Sequence, residues 1–523
     1  MENNSSHNVS ALLRSLIVYA VCVPLAAFVG YLLADQWDYS TYAIIGIVAM
    51  LMVLPLFLKW HHPLLVASWN TGIVVFILKG APSIWLVMVA LSLGISALER
   101  ALSSRKHFIK VPEITWPLLV FAAIAVFTAE LNGGFGLRSF GSEVYGGRKY
   151  VYLFLGIASY FALTARSIPR EKAWLYVGLF FLVETTKAIG DFYSIAPGWM
   201  SYLFYIFPPA YTPEDFQIGV TRLGGVGGAG MAVYLWLMAR HGIRGIFLTG
   251  KLWRPVLMAM CVALIFLGGY RSTLFLALLI FVVTFFMEGL HRTWLFPMFA
   301  MAGLTAVVAI IPLADKLPFT FQRTLAFLPF LKLDTDAKLS ADSSTNWRLE
   351  MWSALMPQVP KHLLLGKGYA ISPEDYNEMM GQTALANGQA SKVDASQGSL
   401  ALSNDYHNGM LSIVLAFGIW GVLAFVWFAF AGLRVMYFNY KYGDPGLRTV
   451  NSVLFILFAY QTLSYLSCVA GLQIASDLPI FLGYLGLGIA LNGGVCRPAS
   501  TQVPIQVFHR PRALPAPRPA FQR

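Results

Sequence analysis

Apolar residues run along this chain in long blocks, and short polar clusters separate them. Residues 256–267, 274–286 and 411–430 are almost wholly apolar, with none of the two-residue alternation of a strand in a membrane barrel. A bilayer core needs about 20 apolar residues per helix, and a helix satisfies every one of its own backbone groups there. The blocks predict helices near 12–34, 41–58, 63–78, 82–98, 115–129, 150–165, 173–191, 228–239, 254–269, 272–287, 294–313, 408–433, 450–471 and 478–492. The expected fold is therefore all-α: a polytopic transmembrane bundle of about 12–14 spans. A single long polar stretch, 314–407, interrupts it.

Composition agrees. Of 523 residues, 57% are hydrophobic and 12% charged, about half the charge of a soluble domain. The net charge of +12 suggests nucleic acid until the cations are placed. Setting aside 314–407 and Lys187 within a span, 22 Lys/Arg fall on one side of the predicted spans and 6 on the other. That is the positive-inside bias, so both termini are expected in the cytoplasm and the long loop outside, with no nucleic-acid partner. The pattern divides the chain into helices over 1–220, helices with arginine motifs over 221–313, the periplasmic loop 314–407, helices over 408–495 and a disordered cytoplasmic tail, 496–523. Cys22, Cys261, Cys468 and Cys496 lie in or beside spans without CxxC spacing and read as buried apolar residues.

The polar chemistry concentrates outside. The loop holds 10 of the 25 acidic residues. Within it, 346–356 has helical spacing, with Arg348 and Trp352 on one face. Of nine histidines only His362 and His407 fall outside. His407, at the membrane boundary beside Asp405 and Asn408, is the better-placed imidazole base; its plain alternative is to anchor a helix end. Arg271, in the short turn Gly268-Gly269-Tyr270-Arg271-Ser272, joins Arg222 and Arg348 as exterior guanidinium groups. Such arginines either snorkel to lipid phosphate or clamp a substrate diphosphate through bidentate hydrogen bonds. The glycines after Arg222 offer backbone donors at a helix start or, without a P-loop lysine, a tight helix crossing. Glu184 and Lys187, three apart within a span, either pair or line a polar cavity. Asp334-Thr335-Asp336 matches a metal-binding DxD only in outline, and no His/Cys cluster has ligand spacing, so no metal or cofactor is expected.

The order of these motifs resembles the O-antigen ligase/polymerase family of bacterial membrane glycosyltransferases. Arg222 with its Gly-rich turn comes first, then Arg271, then Arg348-x-x-x-Trp352. Leu365-Gly366-Lys367-Gly368-Tyr369 follows, then Asp405-Tyr406-His407-Asn408 leading into Phe417-Gly418-Ile419-Trp420-Gly421. The likeness covers roughly 220–430. It implies a multi-pass enzyme of the bacterial inner membrane that takes a glycan from undecaprenyl diphosphate and passes it to an acceptor hydroxyl. The acceptor is lipid A-core in ligases, another glycan in polymerases and a protein side chain in oligosaccharyltransferases. The resemblance gives His407 the role of base or acceptor-positioning residue, and Arg271, Arg348 and Arg222 the diphosphate; Asp405, Asn408 and Trp352 support them. The implied transfer is inverting and metal-independent. A flippase is the competing class, but it predicts polar residues through the whole membrane, and here the inner half of the helices is nearly bare.

Overall fold

The computed structural model describes residues 30, 55–78, 80–102, 108–137, 142–209, 223–374, 376–377, 406–467 and 473–498. Arg222 and Asp405 lie outside them, as do Cys22 and Cys468. The described residues form helices and no strand, with only two isolated bridges, Val74 to Ser83 and Tyr145 to Ile371.

In chain order the longer helices are α1 (55–68), α2 (Ile84–Leu102), α3 (Pro112–Leu131), α4 (Gly147–Leu163), α5 (Ala173–Leu182), α6 (Gly224–Phe247), α7 (Trp253–Leu267), α8 (Arg271–Met287) and α9 (Leu295–Ile310), followed by α10 (Thr335–Leu355), α11 (Gly409–Tyr442), α12 (Arg448–Leu466) and α13 (Ile474–Asn492). Seven described segments are long and apolar enough to cross a membrane, and α7 and α8 are shorter apolar helices. The chain is a multi-pass membrane protein. One expected boundary moves: α1 runs unbroken through His61 and His62, where a break between two spans was expected, and it stops at residue 68. Both imidazoles are buried and bonded, His61 Nδ1 to Ser92 Oγ at 2.9 Å and His62 Nε2 to the Leu163 carbonyl at 2.9 Å. Helix interior is therefore a stable place for them.

Burial orders the bundle. The most apolar window of α13 is 83% buried, whereas the span Leu295–Lys316 buries none of its own and presents its side chains outward. α13 packs along α4, α11 lies against α3 and α12, and α6 packs on α7 and α12. Small residues set the α6/α7 crossing: a Cβ on Gly227 would stand 2.7 Å from the backbone of Gly268, and one on Gly230 would stand 2.9 Å from the Cys261 carbonyl. Without a hydrophobic drive between helices in lipid, such close contact supplies the packing energy.

α11 is broken near its first third. Gly418 sits at φ 66°, ψ −165°, which interrupts the helical ladder. In a regular helix the Leu415 and Ala416 carbonyls would accept from residues 419 and 420. Here the turn 363–368 takes their place. Lys367 N–H donates to Leu415 O at 2.8 Å, Gly368 N–H donates to Ala416 O at 2.9 Å, and Ile419 N–H donates to Leu363 O at 2.6 Å. Broken backbone at this depth is tolerable only when protein groups satisfy it, and the loop supplies them. Gly366, at φ 68°, lies so close to the Ala416 carbonyl that a Cβ would come within 2.4 Å. The Leu-Gly-Lys-Gly-Tyr and Phe-Gly-Ile-Trp-Gly motifs are thus two halves of one backbone joint.

Candidate active site

α10 organises the site. Asp334 caps its start, its carboxylate accepting from Asp336 N–H at 2.9 Å, so the Asp-x-Asp pattern is spent on a helix cap. Buried Gln322 fixes the approach: its amide donates to Asp315 O and Leu317 O, and its oxygen accepts from Asp334 N–H at 2.7 Å. From this start α10 runs 21 residues, well beyond the 346–356 stretch whose spacing is evident in the sequence.

Residues 341, 348 and 352 lie seven and four apart, so they share a face. Each makes or shapes a contact across the site. Arg271, the first residue of α8, donates from Nη2 to the Ala341 carbonyl at 3.2 Å. Arg348 is half-buried, and burial, then the neighbouring Arg271 charge, hold its guanidinium below the usual range. Trp352 donates from Nε1 to the Tyr406 carbonyl at 2.7 Å, one residue before His407. One helix face therefore ties the arginine turn to the histidine.

His407 is itself held in an unusual backbone state, φ 48°, one of two described non-glycine residues with positive φ. Such a conformation costs about 1–3 kcal/mol and persists only where the surroundings over-determine it. The surroundings do so on both sides. Tyr406 is buried in a small apolar cluster with Met351, Leu355, Leu411 and Leu415, against which Trp352 packs. Asn408 caps α11, its side chain accepting from Leu411 N–H at 3.1 Å. The half-buried imidazole is thereby projected from a fixed point between loop and membrane helix.

Other expected residues sort by position. His362 ends the short helix Val359–His362, and burial with the charges of Lys367 and Lys361 lowers its pKa. The glycines after position 222 work in packing and not as an anion cradle. The Asp191 carboxylate occupies their donors, accepting from Val226 N–H at 2.7 Å and from Gly225 N–H. Glu184 and Lys187 do pair, Nζ to Oε1 at 3.0 Å, and they also line a cavity.

Two participants carry weaker sequence signals. Lys367 places its ammonium 5.7 Å from the centre of the Tyr406 ring, bringing a further cation beside the histidine turn. It stands within a quoted motif, yet its spacing gives no hint of that neighbour. The Ala341 carbonyl has no side-chain signal at all.

The family comparison falls on this region. Residues 256–426 match the model of the O-antigen ligase family. That stretch, about a third of the chain, is similar to the O-antigen ligase family. The match takes in Arg271, Arg348, Trp352 and His407. The comparison with curated proteins gives no match.

Proposed function

We propose that this protein transfers a glycan from undecaprenyl diphosphate to an acceptor hydroxyl of lipid A-core, on the periplasmic face of the inner membrane, with both termini in the cytoplasm. The observation that carries the reading is the single face of α10. It holds Arg271 through Ala341, presents Arg348 beside it and anchors the backbone at His407 through Trp352.

Two guanidinium groups brought together oppose each other until an anion lies between them. A diphosphate fits that role, because planar forks bind its oxygens bidentately and keep their charge. The acceptor oxygen attacks the anomeric carbon as the glycosidic bond to diphosphate breaks. The bond's electron pair leaves on the diphosphate oxygen, where Arg271 and Arg348 stabilise it in place of a metal ion. His407 takes the acceptor proton. A single displacement inverts the anomeric centre. Arg222, Asp405 and Asn408 complete the proposed site, Arg222 on the diphosphate, Asp405 and Asn408 beside the base.

Purified protein in liposomes with an undecaprenyl-diphosphate glycan, with and without lipid A-core, tests this. His407→Ala is expected to lower transfer by about 10²–10⁴-fold while the protein remains folded in the bilayer. Glycan-modified lipid A-core supports a ligase. A ladder of longer glycans without lipid A-core would instead make the protein a polymerase. Transfer by His407→Ala at the wild-type rate would remove the base. Absence of any covalent product would leave two alternatives, a protein acceptor or a flippase.

A further inference from the structure

Two cavities lie beside the candidate site. One, about 230 Å³, is bounded by Tyr270, the neighbour of Arg271, with Gly224, Gly225, Pro208 and Lys187. The other, about 260 Å³, shares Lys187 and is walled by Trp69, Trp85, Tyr152, Glu184 and Ser476. Lys187 therefore borders both. The second also backs onto the histidine side. Its wall residue Ser476 precedes buried Asp477, whose carboxylate accepts from Tyr465, and the Tyr465 ring packs directly on Gly409, two residues after His407.

The lining of the second cavity is aromatic on one side and polar on the other. Trp69 and Trp85 have ring centres 5.5 Å apart, and Tyr152 meets Trp85 edge-on at 6.1 Å, which makes an aromatic corner. Opposite in character are the Glu184–Lys187 pair and Asn70, whose amide nitrogen is fixed by donation to Phe180 O at 2.7 Å. A polyprenyl chain in this space would strip water from an ion pair and return no hydrogen bonds, which is costly. A bare anion would meet a lysine already neutralised and a carboxylate of its own sign. A neutral ring carrying hydroxyls suits both surfaces: hydroxyls donate to Glu184 and accept from Lys187, and an apolar C–H face lies on the aromatic rings. The volume is below the ~300–1,000 Å³ common for drug-sized ligands, which points to one ring and not an oligosaccharide.

We propose that the Trp69–Trp85–Tyr152 cavity is a saccharide subsite holding one sugar ring, either of the lipid-linked donor or of a glycolipid acceptor, with Glu184 and Lys187 hydrogen-bonding its hydroxyls. This rests on the glycosyl-transfer reading above and adds a specificity site to it.

The test measures binding to the full chain in nanodiscs with three probes: undecaprenyl diphosphate, its disaccharide-linked form and lipid A-core. Two variants are used. Trp85→Ala removes the stacking ring, and Ser476→Phe fills the cavity from an exposed position that leaves the core intact. Both are expected to weaken one sugar-bearing probe about ten-fold and to leave undecaprenyl diphosphate within about two-fold. The probe that weakens identifies the source of the sugar. Wild-type binding of both sugar-bearing probes by Ser476→Phe overturns the proposal, and so does an equal loss for undecaprenyl diphosphate, which would assign the cavity to the lipid. Arg271→Ala is the independent control. If it binds undecaprenyl diphosphate like wild type, the diphosphate clamp fails whatever the cavity variants do.

Discussion

Replacing Trp352 by Phe isolates the support beneath His407. The ring stays in its apolar cluster, but the 2.7 Å hydrogen bond from Nε1 to the Tyr406 carbonyl is lost. Tyr406 is fully buried, so its carbonyl would be left without that donor, at a cost of about 1–3 kcal/mol. That cost is the same size as the ~1–3 kcal/mol held in a non-glycine residue at φ 48°. Losing 1–2 kcal/mol from the state that aims the imidazole lowers its population by about 5–30-fold. Transfer in proteoliposomes is expected to slow by that factor, with binding of undecaprenyl diphosphate unchanged, because Arg271 and Arg348 are untouched. In a His407→Ala background the same substitution should add nothing. A Trp352→Phe enzyme of wild-type rate would refute the reasoning, as would an equal further loss in the His407→Ala background.

Four more outcomes are expected. Gly418→Ala should destabilise the fold by more than the ~1–3 kcal/mol of a side chain held in this glycine-only backbone region, because its Cβ would also lie 2.7 Å from Leu364 O; thermal unfolding and protease cleavage within 363–368 read this. Arg271→Lys should weaken undecaprenyl-diphosphate binding about ten-fold or more, since an ammonium cannot make the fork, and unchanged affinity would count against the clamp. Asp191→Ala should lower stability by about 1–3 kcal/mol through the uncapped start of α6, measured as a fall in Tm that Asp191→Asn partly restores. Glu184→Gln or Lys187→Met alone should lower Tm more than the two together, because a single change leaves one charge unanswered; additive losses would argue against coupling.

Helix type was legible in the sequence because it depends on local composition. Residue 55–68 shows the limit. His61 and His62 look like a polar break, and only their tertiary partners, Ser92 and the Leu163 carbonyl, make the helix interior acceptable to them. The Gly-rich turn shows a second limit: its N–H groups are spoken for by Asp191, which is separated from Val226 by 35 residues. Likewise Arg348 and Trp352 were recognisable as one helical face, but their targets were not. Ala341 contributes a backbone carbonyl and Tyr406 another, and no side-chain pattern encodes which carbonyl will be met.

The same reasoning explains why the loop and the broken helix belong together. A membrane helix interrupted at Gly418 would expose two carbonyls and an N–H at a depth where water cannot reach them. The loop could not dock by hydrophobic burial alone, for Leu363, Leu364 and Leu365 do not bury their side chains there. It docks through its backbone and through Tyr369, buried against Phe417, and the backbone bonds fix its register to the residue. Lys367 consequently arrives beside Tyr406, as does Trp352 of α10, so that the histidine turn meets elements distant in the chain. Placing His407, the proposed base, just ahead of a membrane helix and its support on the loop makes the proposed site depend on that joint. Any substitution that undocks 363–368 should therefore slow transfer before it unfolds the bundle.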